Sequence, residues 1–120
     1  MSLLPRVLIV DESAESREIL RTLLELLGAT TIEAQRPEQA IHLAKLHRPH
    51  LIVLDAESDH STRGSATDEL QATAGQNDTP VVILGTLSQW SGQISGGQII
   101  AKPYHYGPLI RKIETLLAAA

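Results

Sequence analysis

The stretch Val7-Leu8-Ile9-Val10-Asp11-Glu12-Ser13-Ala14-Glu15-Ser16-Arg17-Glu18-Ile19-Leu20 decides how the rest of the chain is read. Its first four residues are aliphatic without alternation, the pattern of a strand buried on both faces in a parallel sheet. Two acids and a serine then break the run. Beyond them Ile19, Leu20, Leu23, Leu24 and Leu27 fall on one stripe at helical spacing, which predicts a helix over 14–27 with Ser13 as N-cap and Gly28 as its stop. A buried strand, a short acidic loop and an amphipathic helix make the first half of a βαβ unit.

The same signals recur outward from this stretch. Leu51-Ile52-Val53-Leu54, Val81-Val82-Ile83-Leu84 and Ile99-Ile100-Ala101 read as further buried strands. Residues 30–34 alternate, with Thr30, Ile32 and Ala34 on one side, as in a half-covered strand near a sheet edge. A second helix starts with Pro37 at its first position, uses Ala40, Ile41, Leu43 and Ala44 inside, and ends before Pro49. The last covers 108–117, with Leu109, Ile110, Ile113, Leu116 and Leu117 inward. Two crossovers are poorer. The segment 57–68 is almost wholly polar, leaving a short helix over 67–74 before Gly75, and 87–97 pairs Trp90 with Ile94 among three glycines. These elements predict an α/β doubly wound fold: a five-stranded parallel sheet with helices on both faces, right-handed crossovers, and third and fourth helices short or irregular.

Composition sets the outer limits. The 120 residues carry 10 Lys+Arg against 14 Asp+Glu, a formal net charge of −4. That is one domain spanning 1–120, long enough to bury roughly two-thirds of its unfolded surface. With no Phe, one Trp and two Tyr, its core must be aliphatic. The absence of Cys excludes a disulfide framework and any thiolate metal site. The acidic balance argues against direct nucleic-acid binding, which leans on clustered Lys and Arg. No apolar run approaches the ~20 residues that a bilayer needs. The few residues before the first strand are too short for a signal peptide, so a soluble cytoplasmic domain is expected.

In an open α/β sheet ligands bind beyond the carboxyl ends of the strands. Asp11 and Glu12 follow the first apolar run, Asp55 the third, Gly85 and Thr86 the fourth, and Lys102-Pro103 the fifth. Each acid alone reads as a helix cap or a solvated loop residue. Three carboxylates in one crevice repel one another, and Lys102 offsets only one charge. A divalent cation is the natural complement. Mg²⁺ prefers hard oxygen ligands and is usually held by one or two carboxylates plus phosphate, so the pocket suits a phosphoryl group.

The segments VLIVDES (7–13), LIVLD (51–55) and IIAKPY (99–104), at this spacing, resemble those of a bacterial response-regulator receiver domain over nearly the whole chain. The resemblance implies strand order 2-1-3-4-5 and a place in a two-component phosphorelay. It implies that Asp55 takes a phosphoryl group from a phosphohistidine on a sensor histidine kinase or a histidine phosphotransfer protein. Asp11, Glu12, Asp55 and the backbone carbonyl of Glu57 would hold Mg²⁺. Lys102 would pair with the phosphoryl oxygens, and Pro103, after a cis peptide bond, would aim that lysine. The output would be a changed protein-protein surface, read by a downstream partner or a covalently linked output domain. The first helix contributes to kinase docking in that family, which makes Ser16 and Arg17 contact candidates, although its charged stripe (Glu15, Arg17, Glu18, Arg21, Glu25) otherwise reads as a solvated face.

Several positions depart from the family. Gly85 stands where the family has a Ser or Thr, and Thr86 takes over that phosphoryl contact only if the fourth strand runs one residue longer. Ile99 replaces the aromatic that moves with that hydroxyl. Asp59 replaces the loop proline, and Gly64 falls one residue late. These departures motivate the alternative of a pseudo-receiver, a phosphorylation-independent interaction module with a degenerate switch. An aspartate-nucleophile phosphatase finds less support, since its nucleophile would end the first strand; no enzyme beyond self-directed phosphoryl transfer is expected. The histidines His42, His47, His50, His60 and His105 lack ligand spacing and read as surface residues. Tyr104 reads as packing at the start of the last helix, and Trp90 as cover for the fourth crossover.

Overall fold

The computed structural model describes residues 4–85 and 97–119. Among them lie five strands and four helices, in the order β1 (Arg6–Val10), α1 (Ala14–Leu26), β2 (Thr30–Ala34), α2 (Pro37–His47), β3 (Leu51–Asp55), α3 (Ser65–Gln76), β4 (Val81–Gly85), β5 (Gly97–Ala101) and α4 (Tyr106–Ala118). All pairings are parallel, in the order β2-β1-β3-β4-β5.

The aliphatic runs of β1, β3 and β4 have the two-sided burial their composition demands. Ile99 and Ile100 of β5, expected to be buried, are only partly covered and Ala101 is exposed, because β5 is an edge strand of the sheet. Leu8, Val10, Ile52, Leu54, Val81 and Ile83 face one side of the sheet and pack against Ala40, Ile41 and Ala44 of α2 and Leu70 and Ala74 of α3. Val7, Ile9, Leu51, Val53, Val82 and Leu84 face the other, against Leu20 and Leu24 of α1 and Leu109 and Ile113 of α4. The largest fully buried side chains are all Leu or Ile, as a chain without Phe requires. β2 lies at the sheet edge, with only Ala34 fully buried.

Helix boundaries follow local chemistry. Ser13 caps α1 by accepting from the Ser16 N–H at 3.2 Å. Gly28 closes it at φ +89°, where the Ala29 N–H reaches back to the Leu24 carbonyl. Pro37 opens α2 at its first turn. Tyr104 and Tyr106 pack on the α1/α4 side with rings edge to face at 5.6 Å.

The third helix extends beyond the expected 67–74 at both ends and runs through Gly75. Its buried residues are Ala66, Thr67, Leu70, Thr73 and Ala74, small side chains that pack closely while offering little hydrophobic pattern. The irregularity lies ahead of it, in one-turn 3-10 helices at Ala56–Ser58 and Thr62–Gly64. The last helix begins at Tyr106, before the expected Pro108. β4 does run one residue further, through Gly85, which pairs with Ala101. Thr86, Trp90 and the fourth crossover lie outside the described residues. No helix among the described residues is long and apolar enough to cross a membrane.

Candidate functional site

The crevice forms where β1, β3 and β5 end, with β1 flanked by β2 and β3. Asp11 follows β1 and is 2% exposed. Its Oδ1 accepts from the Ser13 N–H at 2.9 Å, while its buried Oδ2 has no hydrogen-bond partner. Asp55 ends β3 at 9% exposure. Its Oδ1 accepts from the Glu57 N–H at 3.0 Å, and its backbone carbonyl accepts from the buried Ser58 hydroxyl at 2.6 Å.

Lys102 follows β5 and spans the crevice, donating from Nζ to both oxygens of Asp55 at 2.9 and 3.0 Å. Glu57 Oε1 lies 3.5 Å from the same ammonium. The Lys102–Pro103 peptide is cis, and the Lys102 N–H donates to the Gly85 carbonyl. The sheet thus brings Asp11, Asp55 and Lys102 together from three loops.

Charge in this crevice is held under tension. Burial raises the Asp11 pKa from 3.8 to about 6, and the negative charge of Asp55 adds to the rise. The Ser13 N–H and the Lys102 ammonium oppose it without cancelling it. For Lys102, burial pulls the pKa down, but the bond it donates to Asp55 and the charges of Asp55 and Glu57 outweigh it and leave the pKa above its ordinary value.

Glu12 goes elsewhere. Its Oε2 lies 2.7 Å from His60 Nε2, so this carboxylate is turned to the loop after β3. No group of three His, Asp or Glu side chains is gathered at metal-binding distance among the described residues. The carboxylates that remain are those of Asp11, with its unpartnered Oδ2, and Asp55. A buried oxygen with no hydrogen-bond donor, beside a second carboxylate, is suited to a hard cation that keeps several of its own waters.

The loop after Asp55 is tied by Asp59, which stands where the resembled family has a proline. Its two oxygens accept from the N–H and hydroxyl groups of both Ser61 and Thr67. Burial would raise the Asp59 pKa, but these bonds hold it below its ordinary value. Gly64 turns at φ +71° just before α3. Ile99 lies opposite Ile83 in register.

Sequence reading missed three residues here: Glu57 as a partner of Lys102, His60 as a partner of Glu12, and Arg17, whose side chain is only 14% exposed and turned toward β2. Only the strand-end position of each acid carried a signal. Residues scattered in a polar loop or along a charged helix stripe carry none until the loop is folded.

Comparison with known proteins agrees with this geometry. Residues 7–114 match the model of the response regulator receiver domain family. A probable transcriptional regulator, ycf27, of Porphyridium aerugineum is 30% identical over 93% of this chain and 48% of its own length. The PilH protein of Pseudomonas aeruginosa is 26% identical over 94% of this chain and 98% of its own. The receiver domain of Francisella response regulator 1452 superposes with a TM-score of 0.79 at 26% identity, covering 96% of this chain and 98% of that one. The chain spans about half the length of the ycf27 relatives.

Proposed function

Because the chain belongs to the response regulator receiver domain family of two-component systems, we propose that Asp55 is its phosphoacceptor and that residues 1–120 act as one receiver unit. The observation that carries this reading is the two-oxygen grip of Lys102 on Asp55 beside the unpartnered Asp11 Oδ2. A phosphoryl group on Asp55 would meet an ammonium already in place, and a cation would meet an oxygen that lacks a donor.

In the transfer, an Asp55 carboxylate oxygen attacks the phosphorus of a phosphohistidine on a sensor kinase or phosphotransfer protein. The new O–P bond forms as the P–N bond breaks, and the imidazole leaves with the bond pair and takes up a proton. Lys102 moves from the carboxylate to the incoming phosphoryl oxygens, whose negative charge it helps to neutralise. Asp11, Asp55, Glu12 and the Glu57 carbonyl would hold Mg²⁺, with Glu12 leaving His60 to do so. Mg²⁺ supplies neutralisation of phosphoryl charge and a template for in-line attack. Thr86 would add a hydroxyl donor, and Pro103 would aim Lys102.

The product is an aspartyl phosphate on the protein itself, with no turnover of a free substrate. Its readout would be a changed protein-protein surface for a downstream partner, or for an output domain as in the longer transcriptional regulators, in the cytoplasm and without nucleic-acid contact by these residues. A second reading, a phosphorylation-independent module, draws support from Glu12 being engaged by His60 and from Ile99 standing where the family has an aromatic.

Incubation with Mg²⁺ and a small phosphodonor, followed by intact mass measurement, separates the two. One added phosphoryl group that Asp55→Asn abolishes is the expected result. No addition, together with no Mg²⁺ binding, overturns the phosphoacceptor reading in favour of the module.

A further inference from the structure

Asp11 is held by more than its own loop. Its N–H donates to the Ala34 carbonyl of β2 at 3.0 Å, and its carbonyl accepts from Arg17 Nη1 at 2.7 Å. The same guanidinium donates from Nε to Glu33 Oε1 at 3.2 Å. Glu33 precedes Ala34 on β2, and its second oxygen accepts from Arg21 Nη1 at 3.3 Å. These bonds close a ring from the Asp11 carbonyl through Arg17, Glu33 and Ala34 back to the Asp11 N–H.

The ring fixes both peptide planes flanking Asp11. With Oδ1 tied to the Ser13 N–H, the remaining freedom of that residue is small, and Oδ2 is left unpartnered. The forked guanidinium is suited to this because it offers several donors in one rigid plane, directed here at a carbonyl and a carboxylate together. Arg17 was legible in the sequence only as part of a solvated stripe or a docking face. Its 14% side-chain exposure, with Glu33 at 31%, places it inside the α1/β2 junction instead.

We propose that Arg17, anchored by Glu33, is a positioning residue that holds the Asp11 backbone so that its carboxylate stays aimed for cation binding. The functional consequence rests on the phosphoacceptor reading; the backbone restraint does not. Arg17 touches none of the reacting atoms and acts only through Asp11.

The test uses the full chain with Arg17→Gln and Glu33→Gln. Ile113→Val, a core change on α4 that leaves the ring untouched, serves as a control for general destabilisation. Two quantities are read: amide hydrogen exchange at Asp11 in metal-free protein, and the Kd for Mg²⁺ titrated as MgCl₂ alone. Arg17→Gln should speed exchange at Asp11 and weaken Mg²⁺ by about 10-fold to 100-fold, the usual cost of losing a partner that orients a metal ligand. Glu33→Gln should do both to a smaller degree, and Ile113→Val should leave the Kd unchanged. Should Arg17→Gln fail to fold, Glu33→Gln carries the test on the same two readouts. Wild-type exchange and wild-type affinity in the folded variant overturn the proposal. Faster exchange with unchanged affinity overturns it too, since the ring would then serve only the fold. If the wild type binds no Mg²⁺ and gains no phosphoryl group, the phosphoacceptor reading falls and the proposal falls with it, whatever the exchange at Asp11 shows.

Discussion

Asp11 is buried beside a second carboxylate, and the sign of its effect on stability follows from that setting. Its folded pKa is raised from 3.8 to about 6, so the folded protein binds this proton more tightly than the unfolded chain does. The resulting stabilisation is fully present below pH 3.8 and is lost as pH rises through about 6. In chelator, Asp11→Asn removes that loss. The unfolding free energy of the variant minus that of wild type should therefore grow between pH 4 and pH 7, measured by urea denaturation across that range. A flat difference would show that Asp11 does not titrate in this way. Asp59 has the opposite sign, because bonds from Ser61 and Thr67 hold its pKa down. It stabilises above pH 3.8 and loses that contribution as pH falls further.

Among the elements, α1 does the most to place the site, because its cap, its first turn and the Asp11 loop share residues. Ser13 caps the helix with its hydroxyl and donates its N–H to Asp11. Ser13→Ala keeps the N–H and removes only the cap, so it should cost about 1 kcal/mol of stability while leaving the Mg²⁺ Kd near wild type. Thermal unfolding and a Mg²⁺ titration on the same sample check both halves. The loop between β3 and α3 is ordered by side chains rather than by regular structure, with Asp59 accepting from four groups on two residues. Asp59→Ala strands several of those donors and should destabilise by about 1–3 kcal/mol, read by chemical denaturation. The far end of the sheet shows the same use of distant side chains: Arg6 on β1 donates from Nε and Nη2 to the carbonyls of His47 and Arg48 that end α2.

For the whole molecule, two aliphatic layers hold the sheet between α2 and α3 on one face and α1 and α4 on the other. Leu54 is fully buried in the first layer, one residue before the phosphoacceptor candidate. Leu54→Ala should cost about 2–5 kcal/mol and lower the thermal midpoint accordingly. Cation binding acts on the same global equilibrium. If Mg²⁺ binds only the folded state, the stabilisation at a free concentration one hundred times Kd is about 2.7 kcal/mol. The thermal midpoint should climb with MgCl₂ and stay flat for Asp11→Asn, as differential scanning fluorimetry would show.

The sheet and the ends of its strands were readable from the chain alone, because aliphatic runs of four must be buried on both faces and the residue after each run must emerge at the sheet's carboxyl edge. That reasoning located Asp11, Asp55 and Lys102 without any knowledge of side-chain direction. It failed where position along the chain says nothing about orientation. Glu12 and Asp11 are adjacent, yet one carboxylate turns to His60 and the other is buried in the crevice. Arg17 belongs to a charged stripe by pattern, but the packing of α1 on β2 turns it toward Glu33 and the Asp11 carbonyl. Burial of apolar surface is a sum over residue types and survives in the sequence. A hydrogen bond between a helix and an edge strand depends on separations and angles that exist only after the sheet has closed.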